Sequence, residues 1–164
     1  MLVAPSRVVV AAVALLAASS AAPQGVVTQR VLSLAAARTI AEAALAECAS
    51  RGFRTSVAVV DRSGDLLVVL RHELAHPATL EMARSKAYTA VVFRGSTAEF
   101  QAATAADPAR LPQRDVPGIL ALGGGVPLYS AGEIIGAVAS SGSNQTTDDE
   151  CAKAGAAKGA SLLE

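Results

Sequence analysis

The sequence has no tryptophan, three phenylalanines and two tyrosines, and only two residues each of histidine, cysteine and methionine. So few aromatics tell against a deep, high-affinity pocket for a large flat ligand. It also lacks an excess of either charge: 14 basic residues balance 14 acidic ones, with no basic block. That excludes a protein whose main work is nucleic-acid binding, which needs an electropositive stripe. The apolar run Val8–Ala18 is eleven residues long, about half of the roughly 20 a membrane-spanning helix requires. What abounds is alanine, 37 of 164 residues, within a hydrophobic fraction of 52% and a charged fraction of 17%. This composition folds, the length suits one domain, and alanine packs closely while burying little surface per residue.

The amino terminus reads as an address. Met1–Arg7 carries one positive charge, the apolar run follows, and Ser19-Ser20-Ala21-Ala22 supplies the small residues a signal peptidase accepts. Pro23 disfavours a cut after Ala22, so cleavage is expected after Ala21, giving a signal peptide over 1–21, a linker over 22–31 and a domain over 32–164. An uncleaved anchor or a buried helix is the plainer alternative. Export to a secreted or periplasmic location would make the only two cysteines, Cys48 and Cys151, either a disulfide or a pair of free buried thiols.

Ser33 is placed to cap a helix running through Arg51, whose Leu34, Ala37, Ala41, Ala44, Leu45 and Cys48 recur at helical spacing. Ser56–Asp61 and Leu66–Arg71, joined by Asp61-Arg62-Ser63-Gly64-Asp65, predict a β-hairpin. Pro77 opens a helix to about Phe93, and Ser96-Thr97-Ala98-Glu99 has the spacing of a capping box for a shorter one. Ala105–Gly118, with three prolines, predicts a long loop; strands follow around Ile119–Leu122, Val126–Ser130 and Glu133–Ser140. Thr147-Asp148-Asp149-Glu150, a second capping-box pattern, opens the last helix. Five strands with short connections predict an α+β fold, an antiparallel sheet with helices packed on it.

His72-Glu73-Leu74-Ala75-His76 matches the zinc-protease pattern in which one helix face presents two imidazoles and a glutamate serves as base. Pro77 pushes His76 out of helical geometry, and a third ligand would have to be Glu81 or Glu99. A zinc-dependent hydrolase on His72, Glu73 and His76 is therefore an alternative reading, opportunistic metal binding by His72 and His76 another, and solvated loop histidines the plainer one. Gly123-Gly124-Gly125 is no dinucleotide fingerprint, and the serines of Ser140–Ser143 have no evident His-Asp partners, so no catalytic residue is assigned. Asn144-Gln145-Thr146 is a glycosylation sequon that matters only in a eukaryotic source. On the helix after Pro77, residues Thr79, Met82, Lys86, Thr89 and Phe93 share one face. That face could line a pocket for a flat, anionic ligand, with Lys86 toward a carboxylate, or could simply be core.

Three segments carry a resemblance. Ser56–Gly64, Ala83–Ala90, and Pro117–Pro127 with Gly132–Ala137 resemble, in order and spacing, the GlcG/HbpS family of haem-binding proteins, to which the carboxy-terminal domain of some corrinoid adenosyltransferases is related. The likeness spans Leu32–Leu163. It implies a profilin-like fold with a five-stranded antiparallel sheet, homo-oligomers, haem as ligand, and a role in haem or iron handling or sensing, with a sensor or membrane protein as a conceivable partner. Another small molecule in place of haem is the remaining alternative. Two departures stand out: the family's Gly-containing stretch before the helix is replaced by His72–His76, and its Val-Ser-Gly-like strand end reads Ala139-Ser140-Ser141-Gly142. Haem needs an apolar slot and an axial donor, most often histidine, which makes His76 the first candidate, with Thr89 and Met82 weaker ones.

Overall fold

The computed structural model describes residues 25–164; the signal-peptide segment and the first residues of the linker lie outside them. Residues 25–33 carry no helix or strand, and Leu32 is the first side chain to enter the core. Helix α1 spans Leu34–Ser50, with the Ser33 hydroxyl accepting the Ala36 N–H as its N-cap. Strands β1 (Ser56–Asp61) and β2 (Leu66–Arg71) form the expected hairpin, turned by Asp61, whose Oδ1 accepts the N–H groups of Ser63 and Asp65. Helix α2 (Ala78–Val92) and helix α3 (Thr97–Ala106) follow, the latter with the full Ser96/Glu99 capping box. A 3₁₀ stretch, Pro108–Asp115, occupies much of the proline-rich loop. Strands β3 (Gly125–Ser130) and β4 (Glu133–Ser141) lead to helix α4 (Gln145–Gly159).

The sheet is antiparallel with strand order β2-β1-β4-β3. Among the described residues it has four strands, not five. Ile119–Leu122 forms no strand because its backbone donors are spent elsewhere: Ile119 N–H on Val116 O, Leu120 N–H on the Thr89 hydroxyl, Leu122 N–H on Leu120 O. A second expectation also fails. Helix α4 starts two residues before Thr147, because Asn144 accepts the Thr147 N–H as N-cap; the Thr147/Glu150 pair lies inside the helix.

The sheet has a different helical layer on each face. One face packs Val57, Val59, Val68, Val138 and Leu128 against α1 and α4. The other packs Ala58, Val60, Ala137 and Ala139 against Ala83, Ala87 and Ala90 of α2. Alanine on both sides lets α2 lie close to the sheet. Helices α1 and α4 also approach closely: a Cβ at Gly155 would stand 2.7 Å from Ile40 O and 2.8 Å from Ala44 Cβ. Cys48 and Cys151, both fully buried, form a disulfide across this contact, with 5.5 Å between their Cα atoms.

Candidate functional site

Two layers on opposite faces of a sheet can touch only past its ends, and here they meet where β4 runs out and β3 begins. Lys86 of α2, 1% exposed, reaches past Gly124 to place Nζ 2.9 Å from Asp148 Oδ2 in the first turn of α4 and 3.1 Å from the Ser140 carbonyl. Gly124 has φ +123°, and a Cβ there would stand 2.8 Å from both Asp148 Cβ and Ser140 O and 2.9 Å from Lys86 Nζ. Only glycine lets the chain enter β3 over the ion pair. The other Asp148 oxygen accepts the Ser143 N–H at 3.1 Å and the Ser143 hydroxyl at 2.7 Å.

Over this pair lies a cavity of about 490 Å³, a size suited to a small organic ligand. Its walls are α2, Leu122 and the β4–α4 connection. Of the residues singled out on the α2 face, Thr79, Met82 and Lys86 line it, as does His76 just before the helix; Thr89 and Phe93 do not. Thr89 is fully buried, donating to Ser85 O and accepting the Leu120 N–H, each at 2.8 Å. Lys86 does line the cavity, but its charge is already matched by Asp148, so it does not present a free cation to a ligand carboxylate. Thr79 is equally engaged. Its hydroxyl donates to His76 O at 2.6 Å and meets the Ser56 hydroxyl at 2.8 Å, which anchors the His76 backbone at the rim.

His76 itself is exposed, and its Nδ1 accepts the Ala78 N–H at 3.2 Å, leaving Nε2 with no hydrogen-bond partner among the described residues. His72 is not part of the cavity; its Nδ1 accepts the Leu74 N–H at 3.1 Å and stands 3.5 Å from Glu73 Oε2. The segment from His72 to His76 is a turn between β2 and α2, so the two imidazoles do not share the helical face on which the zinc-protease pattern depends. Glu81 and Glu99, the conceivable third ligands, are occupied. Arg84 donates to Glu81 and holds its carboxyl below the usual range, and the Ser96 hydroxyl and N–H do the same for Glu99. No group of three or more metal-ligating side chains occurs among the described residues.

The β4–α4 wall was not marked as a site by its sequence. Ser141, Ser143, Asn144 and Gln145 line the cavity from it, and Gln145 Oε1 accepts the Gly123 N–H at 2.9 Å, tying this wall to the glycine triplet. The available signal was the juxtaposition of a small-residue strand end with a helix whose first turn is acidic.

The comparisons with known proteins agree with this architecture. A Citrobacter freundii protein described as an uncharacterised 15.0 kDa protein of the dhaT–dhaS intergenic region is 32% identical over 119 residues, 71% of this chain and 84% of its own length. The crystal structure of HbpS superposes with a TM-score of 0.78 at 36% identity, over 84% of this chain and 96% of that one. A PduOC structure solved as a heme complex gives 0.72 at 26% identity, over 79% and 95%. Residues 32–157 match the family described as haem degrading protein HbpS-like, and the chain belongs to that HbpS-like family.

Proposed function

We propose that this protein binds haem, or a closely similar planar iron ligand, in the cavity beside His76, as an exported homo-oligomer acting in haem or iron handling or sensing. The observation that carries the reading is the cavity itself, with an imidazole at its rim and Met82 and Leu122 among its walls. The relative solved as a heme complex supports it, and the disulfide suits an oxidising compartment.

The residues present fit the group on one condition. With Nδ1 accepting the Ala78 N–H, a neutral His76 carries its proton on Nε2. To hold iron through Nε2, His76 would have to carry its proton on Nδ1 instead and give up the Ala78 N–H, one of the first-turn donors of α2, which water can satisfy. When bound, haem supplies an iron centre that takes an imidazole ligand; His76 would hold it, with Met82 and Leu122 as apolar wall of the cavity. With Lys86 paired to Asp148, the polar side chains that the cavity would offer a propionate are those of Asn144 and Gln145.

The test is a haemin titration of residues 22–164 followed by optical absorption, with His76→Ala alongside. We expect a saturable, stoichiometric shift of the Soret band, with affinity lowered at least tenfold and the band moved in the variant. A parent spectrum identical to free haemin would sink the reading; an unchanged variant would take the iron away from His76.

A further inference from the structure

The cavity has a part that no ligand needs to touch. A buried ion pair is a poor source of stability, because desolvation offsets its attraction and well-packed apolar side chains usually serve as well. Lys86 and Asp148, 1% and 2% exposed, are such a pair, yet their contacts are distributed in a particular way. Lys86 spans from α2 to the Ser140 carbonyl at the end of β4 and to Asp148. Asp148, in the first turn of α4, turns its second oxygen on both the N–H and the hydroxyl of Ser143. Four segments that border the cavity, α2, the end of β4, the Ser143 connection and α4, are thus joined through two side chains. Among the described residues Ser143 has little else to hold it: apart from Asp148, its hydroxyl bonds only to the adjacent Asn144 carbonyl, at 3.2 Å.

We propose that Lys86 and Asp148 are positioning residues for the ligand cavity, holding the Ser143 wall at a fixed distance from α2 through the Asp148–Ser143 hydrogen bonds. As a statement about ligand affinity this rests on the haem reading; as a statement about the wall it does not. The ion pair neutralises the charge that the carboxylate needs in order to sit buried as a double acceptor.

Two charge-free double variants separate position from charge. Lys86→Met/Asp148→Asn keeps an oxygen to accept from Ser143 without either charge. Lys86→Met/Asp148→Leu has no acceptor at all. Both should melt within about 5 °C of the parent. Haemin affinity should fall tenfold or more in the leucine variant and stay within about threefold of the parent in the asparagine variant. Amide exchange at Ser143, measured without haemin, should quicken at least tenfold in the leucine variant only. Equal loss in both variants, or none in either, would overturn the proposal. If the parent fails to take haemin, the haem reading falls and the exchange rates alone decide the positioning role. If the leucine variant does not fold, Ser143→Ala replaces it; it removes one tether and no buried charge. Haemin affinity lowered about threefold with quicker exchange at residue 143 supports the proposal, and no change in either overturns it.

Discussion

At the scale of single residues, helix α2 sorts the polar side chains of one face into two uses. Thr79, Met82, Lys86 and Thr89 share a face by spacing, but spacing says nothing of how far along the axis a cavity extends. Ten residues of helix span about 15 Å, and the α2 residues that line the cavity end at Lys86, which Gly124 crosses. Thr89 lies beyond that point, where its hydroxyl replaces a strand partner for Leu120. Replacing Thr89 by Val should therefore leave the haemin spectrum unchanged and cost about 1–3 kcal/mol of stability, since the Leu120 N–H loses its acceptor. Urea denaturation beside a haemin titration checks this. A Soret change without a stability loss would return Thr89 to the site. His76 and Met82 were legible as cavity residues because they stand at the start of a helix whose opening Pro77 fixes. The role of Lys86 was not, because its partner is 62 positions away in sequence and one helical layer away in space.

At the scale of elements, two stretches carry the same capping-box pattern and only one forms it. Ser96 and Glu99 bond reciprocally at the start of α3. Thr147 and Glu150 do not, because Asn144 caps α4 first and so brings Asp148 into the opening turn, where it reaches Ser143 and Lys86. Local pattern located each of the four α-helices among the described residues and left the 3₁₀ stretch Pro108–Asp115 as loop; what it could not weigh was a tertiary demand on where α4 begins. The absent strand at Ile119–Leu122 has the same origin, an apolar run whose donors are taken by a distant hydroxyl and by its own turns. The working cap yields a prediction with a defined pH sense. Hydrogen bonds from Ser96 depress the Glu99 carboxyl, so its contribution is present above the unfolded pKa of about 4.3 and is lost as pH falls through the lower folded value. Ser96→Ala should cost about 1 kcal/mol at neutral pH and should flatten the loss of stability on the acid side. Denaturation midpoints at several pH values from neutral downward measure both effects; an acid limb as steep as the parent's would assign that titration to other carboxyls.

At the scale of the whole molecule, the dominance of alanine shapes both the packing and its weakness. Alanine faces and Gly155 let α1, α4 and the sheet approach closely, but each buried alanine removes little apolar surface from water, at roughly 25 cal/mol per Å². The two helices that pair most closely, α1 and α4, stand at opposite ends of the described fold, so their contact closes nearly the entire domain. The disulfide between Cys48 and Cys151, 103 positions apart, constrains that closure where the helices touch. The sequence places both cysteines on helices but leaves their pairing open, because helical periodicity fixes the face of each residue and not which helices meet. In the chain-entropy account a closed loop of this length stabilises by about 4–5 kcal/mol, and removing native disulfides from small domains typically costs 2–5. Cys48→Ala/Cys151→Ala should accordingly lower the urea midpoint by the equivalent of about 2–5 kcal/mol, and a reductant that lowers the parent's midpoint should leave the variant's unaltered. Cys48 Sγ also stands 3.4 Å from the Ser140 hydroxyl, and the Ser140 carbonyl receives Lys86, so the loss should be felt first at the end of β4. Amide exchange should quicken there and in the opening turn of α4 before it does in the β1–β2 hairpin. Uniform quickening across the sheet would mean that the bridge serves only the global equilibrium and has no local hold on the cavity wall.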